Sequence, residues 1–211
     1  KNDKPQNGRG VMLITGATSG FGAAASRMAV RKGFQLILTG RRGERLRALQ
    51  SELGSAVLKI LDFDVRDLLA TQQALAALTE AEIPNVLVNN AGLAVGKEPI
   101  DQGFYEDWNR MIDTNVKGLL HVTRELTPRM RAGARIINIG SIAVRQAYPG
   151  GAVYNASKFA VHGLTEAMRM DLLPRGIQVA QVAPGAAETE FSAVRFKGDE
   201  SMAKSVYIGY Q

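Results

Sequence analysis

The stretch VMLITGATSGFG, residues 11–22, joins a short apolar run to a glycine-rich turn. Its glycines stand at positions 16, 20 and 22, whereas a simple turn from a strand into a helix needs only one. Glycine permits a tight turn and a close approach of the backbone to a ligand, and the amino terminus of a helix attracts phosphate. The stretch therefore predicts a strand, a turn and a helix that together bind the pyrophosphate of a dinucleotide.

The rest of the chain repeats this alternation of apolar strands and amphipathic helices. The apolar runs predict six strands, at residues 11–15, 35–40, 56–64, 85–92, 134–141 and 177–185. The stretches between them predict helices at 23–33, 42–54, 68–82, 104–133 and 152–176. Near-continuous Val, Ile and Leu in the strands indicates a parallel sheet covered on both faces. Because crossovers are right-handed, we expect an α/β protein, a single-domain Rossmann-type doubly wound sheet over 1–211 with a flexible tail at 1–9.

The composition is that of an ordinary globular chain. Of the 211 residues, 45% are hydrophobic and 22% are charged. No apolar run reaches the roughly 18 residues of a membrane span. The formal charge of +6 comes from scattered Lys and Arg, apart from RRGERLR at 41–47, and no zinc finger or aromatic-interleaved basic repeat accompanies it. We therefore predict neither a nucleic-acid partner nor a membrane partner.

The chain contains no cysteine, which excludes disulfides, thiolate metal sites and a cysteine nucleophile. This absence suits a reducing compartment. His121 and His162 are too isolated to form a metal site, and we expect packing roles for both. The start of the chain, KNDKPQNGRG, lacks the apolar centre of a secretory signal. We therefore predict a cytoplasmic protein without a metal site.

Polar residues and glycines stand at the predicted carboxyl ends of all six strands, where a doubly wound sheet binds its ligands. These residues are 16–22, 40–42, Asp64, 89–92, Ser141 and 184–189. We expect the functional site at this edge of the sheet. In the glycine-rich turn the residues predicted to bind the cofactor are Gly16, Thr18, Ser19, Gly20, Phe21 and Gly22.

The end of the second strand indicates which dinucleotide is bound. An acidic residue about 20 residues beyond the glycines would bind the ribose 2′-hydroxyl of NAD. Here the strand instead ends LTGRR, with Arg41 and Arg42 and no carboxylate. A guanidinium can hold a 2′-phosphate through charge-assisted bonds, so we predict NADP and favour Arg41 over Arg42 as its ligand. The alternative is that both arginines are solvated surface charges.

The stretch VYNASKFAV, residues 153–161, carries the candidate chemistry. Tyr154 and Lys158 are four residues apart, which places them on one face of a helix, although this spacing alone also fits a surface helix. A phenol with a pKa of about 10 is a poor acid or base at neutral pH, and a nearby ammonium lowers that pKa. Lys158 can also bond the nicotinamide ribose, and Ser141 can donate to the substrate oxygen. We therefore predict hydride transfer at a nicotinamide, with proton transfer through Tyr154.

Together these motifs resemble the short-chain dehydrogenase/reductase family. The resemblance spans nearly the whole chain through TGATSGFG, DV at 64–65, NNAG at 89–92, MIDTN, Ser141, YNASK and PG at 184–185. It implies a catalytic set of Asn115, Ser141, Tyr154 and Lys158. In that set Asn115 would position a water that connects Lys158 to solvent, and a second role as a polar residue that bends its helix is compatible.

The same resemblance implies further contacts to the cofactor. Asp64 would contact the adenine. Pro184, Gly185, Ala187 and Thr189 would meet the nicotinamide carboxamide, with Thr189 free to bond cofactor oxygens. Besides Asp64, Tyr154 and Lys158, the residues expected in this cleft are Val65, Asn90, Ala91, Gly92, Pro184, Gly185, Ala187 and Thr189.

A narrower likeness is to the group of NADP-dependent 3-hydroxy acid dehydrogenases, also described as serine or L-allo-threonine 3-dehydrogenases. It is carried by NNAGLAVGKEP, EDWNRMIDTNVKGLLHVTR, RIINIGSIA and TEFSAVRFKGD. The likeness implies a small β-hydroxy acid, or the corresponding semialdehyde or ketone, as substrate. A carboxylate needs a cationic anchor, for which Arg195, in the loop expected after the sixth strand, is the first candidate and Arg145 the second. Solvated loop arginines are the alternative interpretation.

Two other functions stay open at this point. A general carbonyl or 3-oxoacyl reductase of the same family is the first, and a non-catalytic NADP-binding regulator is the second. Family members usually continue beyond the equivalent of KSVYIGYQ, residues 204–211, into a further helix and a last strand that also serves subunit contacts. The resemblance thus implies a longer natural chain and a homo-oligomer, either a dimer or a tetramer.

Overall fold

The computed structural model describes residues 9–187, 189–199 and 201. In these residues six strands form one parallel sheet: β1 (Val11–Ile14), β2 (Gln35–Gly40), β3 (Val57–Asp62), β4 (Val86–Asn89), β5 (Arg135–Ile139) and β6 (Gln178–Val182). Their order across the sheet is β3-β2-β1-β4-β5-β6, so the direction of winding reverses between β1 and β4. The predicted doubly wound Rossmann-type fold is confirmed.

Helices connect the strands. In the described part of the chain they are α1 (Gly20–Arg31), α2 (Gly43–Leu53), α3 (Leu68–Ala76), α4 (Tyr105–Ile112), α5 (Gly118–Leu126), α6 (Ala152–Leu172) and α7 (Glu190–Arg195). The helical region predicted at 104–133 is divided, because α4 runs through a π-helical turn, Asp113–Lys117, into α5. The short helix α7 was not predicted, since six residues carry too little periodicity to be recognised.

The helix predicted at 68–82 ends early, at Ala76. Thr79 and Glu82 form a capping box that starts a separate 3₁₀ turn, in which the Thr79 N–H donates to Glu82 Oε2 at 2.8 Å. Lys59 of β3 donates to the same carboxylate oxygen at 2.8 Å. The chain therefore leaves the helix to satisfy local hydrogen bonds that the apolar pattern does not reveal.

Successive side chains of the strands enter opposite faces of the sheet. In β1, Leu13 packs into a core shared with α3, α5 and α6, whereas Ile14 packs into a second core shared with α1 and α2. In β2, Ile37 enters the first core, and Leu36 and Leu38 enter the second. Because both faces are covered, the residues of β1 and the central residues 36–38 of β2 are all apolar, and the carboxyl ends of the strands are left as the open edge.

Two predicted segments fall largely outside the described residues. Of the tail expected at 1–9, only Arg9 is described, and its N–H donates to the Gly33 carbonyl at 3.0 Å. Arg9 therefore belongs to the fold and not to a free tail. The stretch 204–211, where further family elements were expected to follow, lies outside the described residues.

Candidate active site

A cavity of about 1080 Å³ opens at the carboxyl ends of the strands. Loops that follow all six strands contribute to its wall, so the six predicted strand ends form one site. The predicted residues that line it are Gly16, Thr18, Ser19, Gly20, Phe21, Arg41, Arg42, Asp64, Val65, Asn90, Ala91, Gly92, Ser141, Arg145, Tyr154, Lys158, Pro184, Gly185, Ala187, Thr189 and Arg195. Two predicted residues, Gly22 and Asn115, stand behind the wall and support it.

The glycine-rich turn adopts backbone conformations that favour glycine. Gly16 and Gly20 have φ angles of 65° and 51°. A Cβ on Gly22 would collide with the carbonyl oxygen of Gly16 and would lie 2.6 Å from the Asn90 Nδ2 atom. Asn90 Nδ2 donates to the carbonyls of Thr15 and Gly16 at 2.8 and 3.1 Å. Asn90 thus fixes the turn from behind, and the residues at the start of α1 line the cavity.

Arg41 lies next to the acidic residue predicted to contact adenine. Its Nη1 atom is 3.4 Å from Asp64 Oδ2, and Arg66 Nη2 donates to the same oxygen at 2.7 Å. Burial raises the pKa of Asp64, but hydrogen bonds from Arg66 and the charge of Arg41 outweigh burial and hold the pKa below its ordinary value. Asp64 is therefore ionised at neutral pH and holds Arg41 at this end of the cavity, and the predicted contact of Asp64 with adenine stays a prediction.

Arg42 lies on the glycine-rich turn. Its Nη2 atom donates to Thr18 Oγ1 at 3.0 Å and to Ser19 Oγ at 2.9 Å. Its Nη1 atom donates to Glu190 Oε2, in α7, at 3.0 Å. The two arginines thus occupy one end of the cavity with different partners, and the preference for Arg41 over Arg42 stays a prediction.

Tyr154 and Lys158 lie on the inner face of α6, with 9% and 6% of their surfaces exposed. Lys158 Nζ is 5.9 Å from the centre of the Tyr154 ring and donates to the carbonyl of Ile139 at 2.9 Å. Ser141, at the end of β5, is buried and accepts a hydrogen bond of 3.1 Å from the Ala143 N–H. The structure thus brings the predicted phenol, ammonium and hydroxyl to the same cavity.

The pKa of Tyr154 is not controlled as the sequence predicts. Burial raises this pKa, a hydrogen bond with Ser141 lowers it, Tyr148 raises it again and the charge of Arg195 lowers it. The net shift is upward, because the cost of burying a phenolate is the largest of these effects. Burial also lowers the pKa of Lys158 to about 8. The expected lowering of the Tyr154 pKa by Lys158 is therefore wrong for this structure.

Asn115 lies at the centre of the π-helical turn, with 2% of its surface exposed. Its Nδ2 atom donates to the Leu93 carbonyl at 2.8 Å and to Ser157 Oγ at 2.9 Å, and its Oδ1 atom accepts from the Leu93 N–H at 2.8 Å. Asn115 therefore joins the loop after β4 to α6. This agrees with its interpretation as a residue that distorts its helix, and the positioning of a water stays a prediction.

Arg195 ends α7 instead of lying in an irregular loop. Its Nη1 atom donates to Tyr148 Oη at 2.9 Å, and its guanidinium carbon is 5.0 Å from the centre of the Tyr148 ring and 5.9 Å from that of Tyr154. Among the described residues its Nε and Nη2 atoms are buried without a hydrogen-bond partner. Arg145, the second candidate, is exposed at the edge of the cavity.

Three further residues of the site were missed by the sequence analysis. Tyr148 holds Arg195, Phe191 packs its ring edge-on against Tyr154 at 5.7 Å, and Glu190 holds Arg42. Tyr148 lies in the irregular segment before α6, and the other two belong to the short α7. The available signals were the closeness of Tyr148 to the YNASK motif and the place of Glu190 and Phe191 in TEFSAVRFKGD.

Both histidines form hydrogen-bond contacts, and their predicted packing roles stay predictions. His121 Nδ1 is 2.9 Å from the Val65 carbonyl, and His162 Nδ1 is 3.0 Å from Gln181 Oε1. Across residues 9–187, 189–199 and 201, no group of three or more His, Cys, Asp or Glu is placed to hold a metal ion. Within the same residues, no helix has both the length and the apolar character needed to cross a bilayer.

The sheet order and the cavity at the strand ends define a dinucleotide-binding protein of the Rossmann type. A family model described as short chain dehydrogenase matches residues 10–200. The chain belongs to the short-chain dehydrogenase family, as its motifs predict, and is by that membership an oxidoreductase.

Individual relatives are similar over most of their length. The chain is 48% identical to sulfoacetaldehyde reductase 2 of Chromohalobacter salexigens over 202 residues, which cover 93% of this chain and 80% of the relative. It is 46% identical to the NADP-dependent 3-hydroxy acid dehydrogenase YdfG of Salmonella typhi over 201 residues, covering 93% and 81%. The closed form of serine dehydrogenase complexed with NADP+ superimposes with a TM-score of 0.90 at 44% identity, covering 94% of this chain and 82% of that one.

Proposed function

We propose that the protein is an NADP-dependent oxidoreductase that transfers a hydride between NADP(H) and a small 3-hydroxy acid or its semialdehyde or ketone. The observation that carries the substrate class is the guanidinium of Arg195. Two of its buried nitrogen atoms lack partners among the described residues, although it lines the cavity close to Tyr154. A buried, unpaired donor is costly, and a carboxylate is the group that best satisfies a planar guanidinium.

The cavity fits the proposed cofactor. Its volume of about 1080 Å³ is enough for a dinucleotide and a small substrate together. The turn with Gly16 and Gly20 would hold the pyrophosphate at the start of α1, and Arg41 and Arg42 would hold the 2′-phosphate. When bound, NADP supplies the hydride acceptor, and NADPH supplies the hydride donor.

The protein side chains manage the proton of the reaction. In the oxidising direction the phenolate form of Tyr154 accepts the proton of the substrate hydroxyl on Oη as hydride leaves the same carbon, and in the reducing direction the phenol gives its proton to the carbonyl oxygen. Ser141 donates a hydrogen bond to the substrate oxygen and holds it beside the phenol. The charge of Arg195 and the hydrogen bond with Ser141 both lower the pKa of Tyr154, against the effect of burial. Lys158 would bond the nicotinamide ribose, and Asn115 would order the water beside it.

Replacement of Arg195 by Ala tests the substrate class. We expect the KM for 3-hydroxypropionate, L-serine and L-allo-threonine to rise about 10- to 100-fold, because each loses a charge-assisted hydrogen bond. The KM for an uncharged alcohol of similar size, such as 1-propanol, should hardly change. Arg145→Ala, at the exposed edge of the same cavity, is the matched control and should have a small effect on both substrates.

Two results would favour a different function. An equal rise in KM for charged and uncharged substrates would contradict the anchoring role of Arg195, and a preference for uncharged ketones or 3-oxoacyl thioesters would favour a general carbonyl or 3-oxoacyl reductase.

The relative named sulfoacetaldehyde reductase makes a sulfonate the second anion to test, and 2-hydroxyethanesulfonate belongs in the same panel of substrates. A guanidinium and a tyrosine hydroxyl can serve a sulfonate as well as a carboxylate.

A dimeric or tetrameric assembly and a location in the cytoplasm are part of the same proposal. The first is supported by the family resemblance, and the second by the absence of cysteine from the sequence. Light scattering of the purified protein would measure the assembly, and a molar mass equal to one chain would contradict it.

A further inference from the structure

Helix α7 is attached at its first residue to the cofactor side of the cavity. Glu190 accepts a hydrogen bond from Arg42 on one carboxylate oxygen and from Arg45 on the other. Arg42 and Arg45 stand at the start of α2, and Arg42 is 148 positions away from Glu190 in the chain. Two guanidinium groups from one part of the fold therefore hold a single carboxylate from another.

The same attachment extends to the glycine-rich turn. Arg42, while it holds Glu190, also donates to the hydroxyls of Thr18 and Ser19. Next to Glu190, the side chain of Thr189 lies 3.5 Å from the position that a Cβ on Gly20 would take. The amino-terminal end of α7 thus rests on the residues that would bind the cofactor phosphates.

The other end of α7 carries the substrate anchor. The carbonyl of Arg195 accepts a hydrogen bond of 2.9 Å from the Gly96 N–H, and Lys197 Nζ lies 2.7 Å from Asp107 Oδ2. A hydrogen-bonded helix of six residues moves as one body, so its two attachments together set the position of Arg195. Without one of these attachments, the guanidinium would depend more on its hydrogen bond to Tyr148 for its position beside Tyr154.

We propose that Glu190 is a positioning residue which, by bridging Arg42 and Arg45, holds α7 so that the free nitrogen atoms of Arg195 face the anionic group of the substrate. The inference rests on the proposed function and adds to it a physical link between the arginines at the cofactor end and the arginine at the substrate end. The simpler interpretation is a surface ion pair without function, since these side chains are 41–48% exposed. Sharing of one carboxylate by two arginines, one of them bonded to the glycine-rich turn, argues against that interpretation.

Glu190→Gln in the full chain is the direct test. It keeps the shape of the side chain and removes the charge that both arginines hold. We expect the KM for 3-hydroxypropionate to rise about three- to fivefold, in keeping with a partly exposed ion-pair network. The kcat and the KM for 1-propanol should stay within experimental error. A purely structural role would change both substrates alike.

Two further variants sharpen the test. Glu166→Gln is the matched control, because Glu166 forms an ion pair of 2.6 Å with Arg169 at similar exposure and lies away from the cavity. It should change neither KM. Arg45→Gln removes the partner that does not line the cavity and should raise the KM for the hydroxy acid. In the double variant with Glu190→Gln, the fold-rise in KM should be smaller than the product of the two single fold-rises, because both substitutions break the same network.

Three results would overturn the inference. They are an unchanged KM for the hydroxy acid in Glu190→Gln, an equal rise for charged and uncharged substrates in that variant, and a rise of the same size in the control Glu166→Gln. If the KM is unchanged in Glu190→Gln but rises in Lys197→Gln, the positioning belongs to the opposite end of α7. Failure of the proposed function is distinguishable, because Arg195→Ala would then not separate charged from uncharged substrates. If Arg195→Ala raises the KM for charged substrates alone and Glu190→Gln does not, only the positioning role of Glu190 is contradicted.

Discussion

Lys158 Nζ lies 5.9 Å from the centre of the Tyr154 ring, one helical turn away, and donates a hydrogen bond of 2.9 Å to the carbonyl of Ile139. The ammonium is thus held by the end of β5 and not by the phenol. Burial disfavours the charged form of both groups, so it raises the pKa of Tyr154 and lowers the pKa of Lys158 to about 8. The two groups behave as a protonated phenol beside an amine that titrates in mildly alkaline solution.

The free energy of unfolding should depend on pH because Lys158 is buried. In the unfolded chain a lysine has a pKa of about 10.4, above the folded value. Below pH 8 both states carry the proton, and the full cost of burying the ammonium is present. Between about pH 8 and pH 10.4 the unfolded chain binds one more proton than the folded protein, so the free energy of unfolding rises with pH.

Comparison with Lys158→Met isolates this effect. We expect the difference in free energy of unfolding, wild type minus variant, to increase by on the order of 3 kcal/mol over that interval. Urea unfolding of both proteins at several pH values measures it. A difference that stays flat, or one that falls as pH rises, would contradict a depressed pKa for Lys158.

Tyr154→Phe should abolish most of the turnover while leaving the fold intact. The variant keeps the ring that packs against Phe191 at 5.7 Å and removes the oxygen that exchanges the proton. We expect kcat to fall about 10²- to 10⁴-fold, the range for loss of a general acid or base. NADP affinity, measured by fluorescence titration, should change little.

Tyr148→Phe is the informative comparison for this variant. It also removes one phenol oxygen from the cavity, but that oxygen accepts from Arg195. We expect its main effect on the KM for hydroxy acids, because the anchor loses its support. If kcat fell further in Tyr148→Phe than in Tyr154→Phe, the proton transfer would have to be assigned to Tyr148 instead of Tyr154.

Arg41 and Arg42 should make the protein bind NADP more tightly than NAD. Substitution of either by Ala is expected to raise the Kd for NADP about 10- to 100-fold, as for loss of a hydrogen bond to a charged group, and to leave the Kd for NAD nearly unchanged. The two variants should differ at the substrate end. Arg42→Ala also removes one of the two arginines that hold Glu190 and should raise the KM for hydroxy acids, whereas Arg41→Ala removes only a contact with Asp64, which Arg66 still holds.

Isothermal titration with each dinucleotide measures both constants. Tighter binding of NAD than of NADP by the wild-type protein would defeat the cofactor assignment. Parallel losses of NAD and NADP affinity would show that the arginines support the fold of the turn and do not read the 2′-phosphate.

Gly22 and Gly163 form a matched pair for the packing of the glycine-rich turn. A methyl group at Gly22 would collide with the Gly16 carbonyl oxygen, whereas one at Gly163, on the exposed face of α6, would meet nothing within 4 Å. Gly22→Ala should lower the free energy of unfolding by about 1–3 kcal/mol and weaken NADP binding. Gly163→Ala should raise the free energy of unfolding by about 0.5–1 kcal/mol, because alanine favours the helix interior. Chemical denaturation would contradict this account if both variants shifted stability in the same direction.

The sequence by itself determined the sheet, the glycine-rich turn and the pairing of Tyr154 with Lys158. Each rests on a local pattern: apolar runs for buried parallel strands, three glycines between a strand and a helix, and a spacing of four on a helix. Such patterns come from the periodicity of the backbone and need no knowledge of distant residues. Ser141 and Asp64 could be placed at the same edge because the ends of parallel strands converge.

Only the tertiary structure decided how the two ends of the site are held. Arg195 meets Tyr148 across 47 positions and Glu190 meets Arg42 across 148, contacts for which no spacing in the chain gives a signal. The shift in the pKa of Tyr154 is likewise tertiary, because it depends on how completely the fold removes the phenol from water. Spacing along the chain predicts which groups can face each other, whereas burial and long-range contacts set their charge and direction.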